Sequence, residues 1–94
     1  MLRINAFFTL KEGVSKETLL QLTNELVAKS RKDDGNKGYD LFQSTTHERV
    51  FMFCETWESR EQLDKHSQAP HFTTLVPQIE ALTEAGMKLE VLEK

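Results

Sequence analysis

Between Arg49 and Trp57 the chain alternates Val50, Met52 and Cys54 against Phe51, Phe53 and Trp57, so that both faces of one extended segment are apolar. A strand at a sheet's margin shows one apolar face to the core and one polar face to water. Two apolar faces call for cover on both sides and place this segment at the centre of a sheet. In a chain of 94 residues that demand is severe, because a domain of this size buries only about 60 to 70% of the surface its unfolded chain exposes. The core is thin, and a second subunit would add appreciably to it.

The elements around this strand follow from periodicity and punctuation. Leu2, Ile4, Ala6, Phe8 and Leu10 alternate with Arg3, Asn5, Phe7 and Thr9, which predicts a first strand over Leu2–Leu10. After the turn at Gly13, Ser15 suits the N-cap of a helix carrying Leu19, Leu22, Leu26 and Val27, which stops by Gly35. The breaker cluster Asp33–Gly38 leads into a second strand over Tyr39–Thr46, with His47-Glu48 as the turn into the third. Ser59 and Gln62 have the spacing of a capping box and open a helix with Leu63 and His66 on one face. Pro70 suits the first turn of a further helical stretch through Leu82, which Pro77 should kink or divide and Gly86 should end. Met87, Leu89 and Val91 then alternate as a last strand. This order predicts an α+β fold: one domain over residues 1–94, with the ferredoxin-like βαββαβ plan and a four-stranded antiparallel sheet covered by helices on one side. The other face must meet solvent, a ligand or a second subunit, and the apolar third strand makes solvent the poor choice.

Charge and motif content exclude several functions. With 12 Lys and Arg against 15 Asp and Glu, a net charge of −3 offers no phosphate-tracking surface, and no nucleic-acid partner is expected. Arg49, Phe51 and Phe53 faintly resemble a base-stacking strand, without the glycines of that motif. Cys54 is the single cysteine, so no disulfide framework exists, and it reads as an inert buried thiol in a reducing compartment. No apolar run approaches the roughly 18 to 20 residues that cross a bilayer, nor does the N-terminal stretch read as a signal peptide. No membrane association is expected, and the expected location is cytoplasmic. His47, His66, His71 and Cys54 lack the tight spacings of zinc sites, and no metal is expected; His66 and His71 would converge only if the chain turned between two helices. No phosphate-cradling loop, nucleophile elbow or dinucleotide fingerprint is present.

The run Glu55-Thr56-Trp57-Glu58-Ser59, with Leu63, His66, Pro70, His71 and Phe72 after it, closely resembles the antibiotic biosynthesis monooxygenase family, in particular its quinol monooxygenase branch. The segment Asp34–Phe42 is similar to the family's acidic-Gly turn into strand two, and the resemblance spans essentially the whole chain. It implies a homodimeric α/β-barrel in which two sheets meet face to face, with Met87–Leu92 a candidate for crossing onto the partner. It also implies a small aromatic substrate, dioxygen, and no metal, flavin or haem. An electron-rich dihydroxyarene, once deprotonated, can pass an electron to dioxygen itself, so the protein need supply only a base, an orientation and a dry cavity.

Under that resemblance His66 and His71 are the candidate acid/base residues, each with a structural role as the alternative. Trp57 is expected as a pocket wall, with Phe53, Leu63 and Phe72 also contacting substrate. Asn5, polar on an otherwise apolar strand, could orient a substrate oxygen or simply edge the core. Phe53 stands where some family monooxygenases place an asparagine, and Leu75, Val76 and Pro77 stand where haem-degrading relatives place a histidine. The expected function is cofactor-independent oxidation of a quinol or similar dihydroxyarene. The alternatives are isomerisation of a small phosphorylated dione derived from a quorum-sensing signal, and a non-catalytic dimeric ligand-binding or stress protein.

Overall fold

A computed structural model describes residues Met1–Lys94. The chain forms β1 (Leu2–Thr9), α1 (Lys16–Ser30), β2 (Asn36–Gln43), β3 (Val50–Trp57), α2 (Arg60–Gln68), α3 (Pro70–Glu80) and β4 (Lys88–Glu93). The four strands lie in the order β2-β3-β1-β4, every pair antiparallel, with the helices on one face. This is the expected ferredoxin-like α+β architecture, and the doubly apolar strand takes an inner position.

Strand parity sorts the side chains. Leu2, Ile4, Ala6 and Phe8 of β1 turn toward the helices and are buried beside Phe51, Phe53 and Trp57 of β3. Phe8 stacks on Phe51 with ring centroids 5.6 Å apart. Helix α1 begins where the sequence predicts: Ser15 Oγ accepts the Thr18 amide at 3.1 Å, and Leu19 and Leu26 enter the core. The opposite face of the sheet has no second layer, and Phe7, Phe42 and Leu92 remain exposed on it.

Several boundaries depart from expectation for local reasons. Strand β2 starts at Asn36 rather than Tyr39, because a bulge between Asn36 and Gly38 lets the breaker cluster join the ladder, with Asn36 Nδ2 donating to the Gly38 carbonyl. It ends at Gln43 rather than Thr46, since Ser44 Oγ accepts the amides of both Thr46 and His47 and closes a side-chain turn there. At the start of α2 the Ser59 side chain does not bond the helix backbone; its hydroxyl donates instead to the Gln62 side-chain carbonyl, so the expected capping box is replaced by a side-chain pair. Helix α3 runs undivided through Pro77, whose missing N–H frees only the carbonyl of solvent-exposed Thr73. The helix ends at Glu80, well before Gly86: Thr83 Oγ1 donates to the Glu80 carbonyl and accepts the Gly86 amide, while Leu82 and Glu84 bond back to the end of β1. Strand β4 pairs with β1 of its own chain over Lys88–Glu93.

Candidate active site

The turn the sequence required between two helices is present. Ala69 is extended (φ −67°, ψ 147°), as the residue before a proline must be, and it separates the last turn of α2 from Pro70 at the first position of α3. This corner sets the rings of His66 and His71 5.8 Å apart. Both reach the same acceptor: His66 Nδ1 and His71 Nε2 each lie 2.8 Å from Asp33 Oδ2.

Asp33 sits in the connection from α1 to β2, and Gly35 brings that connection against α2. Gly35 has φ +79°, and a Cβ there would come within 2.7 Å of the Gln62 side chain, so only glycine allows this approach. The Gly35 carbonyl accepts the Glu58 amide at 2.8 Å, tying the loop to the end of β3.

His66 is 2% exposed and packed by aromatic rings, with Trp57 at 4.5 Å, Phe72 at 5.1 Å and Tyr39 at 5.5 Å between centroids. Burial lowers its pKa, and the nearby His71 adds to that effect, against the opposing pull of Asp33. The neutral ring donates its Nδ1–H to the carboxylate, which fixes the tautomer and leaves a lone pair on Nε2. That Nε2 is buried and has no protein partner.

His66 lines a cavity of about 410 Å³ between the sheet and helices α2 and α3. Phe53, Leu63 and Phe72 form part of its apolar wall, and Leu89 and Val91 of β4 contribute from the sheet's edge. Trp57 lies behind His66, fully buried, rather than on the wall. His71 stands on the far side of Asp33, half-buried, and holds the carboxylate without reaching the cavity. Asn5 is on the opposite face of the sheet, where it donates to Glu90 and accepts from Arg3, so the structure does not bring it to the others.

Asp33, Glu55 and Tyr39 are the groups that sequence reasoning missed. Glu55 and Tyr39 line the cavity as neighbours across β3 and β2. Burial pushes the Glu55 carboxyl up to about 7, the hydrogen bond from the Trp57 indole opposing this, and burial beside Glu55 raises the Tyr39 phenol too. Glu55 has the parity of Phe51, Phe53 and Trp57, and that was a readable signal; nothing in the sequence separates Asp33 from Asp34.

One carboxylate and two imidazoles with donor atoms within 4.8 Å of one another are also ligand types for a divalent metal. In this arrangement, however, both nitrogens lie at hydrogen-bond distance from one oxygen. A metal on His66 Nδ1 would move the ring proton to the buried Nε2, where no protein acceptor waits.

The sequence profile of the antibiotic biosynthesis monooxygenase family matches residues 1–78. A Bacillus subtilis protein, YcnE, provisionally named a monooxygenase, is 29% identical over 87 residues, covering 93% of this chain and 90% of its own. A crystal structure of an antibiotic biosynthesis monooxygenase superposes with a TM-score of 0.92 at 33% identity, covering 100% of this chain and 98% of that one. A Bacteroides thetaiotaomicron protein of unknown function superposes with a TM-score of 0.89 at 40% identity, covering 99% of this chain and 96% of that one. These similarities support a monooxygenase-like function. With a profile match over most of its length and the same fold in its solved relatives, the chain belongs to the antibiotic biosynthesis monooxygenase family.

Proposed function

We propose that the chain is a cofactor-independent monooxygenase that oxidises a quinol or similar dihydroxyarene with dioxygen. The observation that carries this reading is His66: neutral, held by Asp33 through Nδ1, and presenting an unpartnered Nε2 on a residue that lines an apolar cavity. Such a group accepts the hydroxyl proton of a bound arene once the packing that seals Nε2 yields to the ring, and the resulting arenolate reduces dioxygen. The stabilised imidazolium keeps its Nδ1–H on Asp33, while His71 holds the same carboxylate oxygen in place. A bond then forms between oxygen and a ring carbon, the imidazolium returns its proton, the O–O bond breaks, and water leaves. One oxygen atom stays on a hydroxyquinone and the other departs in water. The arene supplies all four electrons, so no external reductant enters the balance. Phe53, Leu63 and Phe72 serve to hold the ring and exclude water.

Charge on the wall favours this substrate over a phosphorylated dione. Arg60 is the only lysine or arginine there, and it shares the wall with the carboxylates of Asp64 and Glu80, a setting that disfavours a dianionic phosphate. Oxygen uptake with a panel of reduced benzo- and naphthoquinones tests the proposal. Saturable uptake with at least one member supports it, and uptake no faster than autoxidation across the panel contradicts it.

The same reading includes a homodimer. Phe7 (37% exposed), Phe42 (55%) and Leu92 (54%) stand on the sheet face that has no helices, beside half-buried Val50 and Met52, and face-to-face pairing of two copies would cover them. Sedimentation at micromolar concentration should give twice the 10.9 kDa chain mass, and a stable single-chain species would refute the pairing.

A further inference from the structure

The cavity holds a second polar group that the steps above leave unused. Glu55 projects from β3 between Ile4 of β1 and Tyr39 of β2, on the helix-facing side of the sheet, and is 8% exposed. Its two oxygens differ. Oε1 accepts the indole N–H of Trp57 at 3.0 Å. Oε2 has no protein partner, and it is not among the polar atoms sealed from solvent, so it opens onto the cavity that Glu55 lines. Trp57 also packs on His66 at 4.5 Å, so one indole sets the position of both polar groups.

A buried carboxyl with no lysine or arginine paired to it is favoured in its neutral form, in which Oε2 becomes a hydrogen-bond donor. Left without an acceptor, that donor costs free energy; an oxygen on a ligand would satisfy it. We propose that neutral Glu55 is the second anchor of the site, donating from Oε2 to a substrate oxygen other than the one deprotonated at His66, so that the cavity selects arenes bearing two oxygens over monohydroxy arenes. The inference rests on the quinol reading of the same cavity and specifies what that site recognises. Glu55 gives up no proton in this role; it positions the ring with the other hydroxyl toward His66.

Five titratable or charged groups line the cavity with Glu55. Tyr39 from β2 stays protonated and His66 from α2 neutral. Arg60 and Asp64 from α2 and Glu80 from α3 are exposed and not paired with it, and β1 and β4 present only apolar side chains there. Two carboxylates against one guanidinium leave no local excess of positive charge to draw the Glu55 proton off.

Trp57 is the only tryptophan and touches both anchors, so its fluorescence reports binding without turnover when dioxygen is absent. Under anaerobic conditions the wild type should bind a dihydroxynaphthalene about ten- to a hundredfold more tightly than the matching naphthol, the effect of leaving one buried donor unsatisfied. That preference should persist as pH rises through about 7, because the ionised carboxylate accepts a hydrogen bond from the same second hydroxyl to which the neutral acid donates. Glu55→Gln should keep the preference through its amide N–H, whereas Glu55→Leu should bind both ligands alike. Equal binding of the two ligands by the wild type, or an undiminished preference in Glu55→Leu, would overturn the proposal. A two-oxygen preference in a protein that consumes no dioxygen would instead retire the monooxygenase reading and leave the anchor standing.

Discussion

Glu55 and Glu90 stand one rung apart on strands that both flank β1, Glu55 across from Ile4 and Glu90 across from Asn5. The shift of one residue puts them on opposite faces of the sheet. Glu90 lies in water, accepting from Asn5 in a small polar group completed by Arg3. Glu55 lies under the helices, without a cation, its carboxyl pushed up to about 7 by burial. The same side chain is a surface acceptor on one face and a neutral acid poised near physiological pH on the other. Parity alone makes the difference, because it decides whether water or an apolar cavity surrounds the group. Facing also separates His66 from Asn5: His66 turns inward from the largely polar α2 and meets the cavity, whereas Asn5 turns outward from the largely apolar β1.

The largest contrast should come from replacing the two. His66→Ala should lower turnover by about 10² to 10⁴ while the protein stays folded, and Asn5→Ala should leave turnover within about twofold. Steady-state oxygen uptake by the two variants checks this, and a large loss in Asn5→Ala would mean that the outer face takes part in the reaction. Trp57→Ala should destabilise by about 3 to 5 kcal/mol, read as a shift of the denaturation midpoint, since a fully buried indole leaves a cavity beneath both His66 and Glu55. Exposed Phe42→Ala, assayed at concentrations low enough to keep the chains apart, should cost far less.

Ionisation of Glu55 sharpens the contrast further. In the unfolded chain its carboxyl titrates near 4.5 and in the folded chain near 7. Between those values the folded state holds a proton that the unfolded state has lost, so stability falls as pH rises through this window and levels off above about 7. The total is about 3 kcal/mol. His66 acts with the opposite sign at the acid end: its lowered pKa means that the unfolded chain takes up a proton first as pH falls below 6.5. Urea titrations of wild type and Glu55→Gln isolate the Glu55 part, because only the wild type should show the decline in their difference. Gly35→Ala should cost about 1 to 2 kcal/mol from its positive φ, in addition to the displaced Gln62 side chain. It should also reduce turnover by moving the Asp33 loop away from His66, which oxygen uptake would register.

The strands and helices were legible because their signals are local and repeated. Alternation over Leu2–Leu10, the Ser15 cap and the Pro70 helix start each rest on short-range sterics or hydrogen bonds. Where prediction slipped, a single side chain had redirected the backbone: Ser44 closed a turn early, and Thr83 folded the chain back after α3. Half of the site was legible for the same reason. His66 and Leu63 share a helical face, and Phe53 follows strand parity. Glu55 could have been found by asking which charged residue interrupts the inward face of the most apolar strand. Asp33 could not, since its meeting with His66 and His71 depends on Gly35 packing against α2, a contact between segments more than twenty residues apart.

The most direct test of the account is the fate of isotopically labelled dioxygen in a single incubation of metal-free protein with a reduced naphthoquinone that it consumes. The predicted result is a hydroxyquinone carrying one labelled oxygen per molecule, formed with one equivalent of dioxygen and no added reductant, and lost in His66→Ala. Unlabelled quinone with hydrogen peroxide as the reduced product, or incorporation undiminished in His66→Ala, would contradict it.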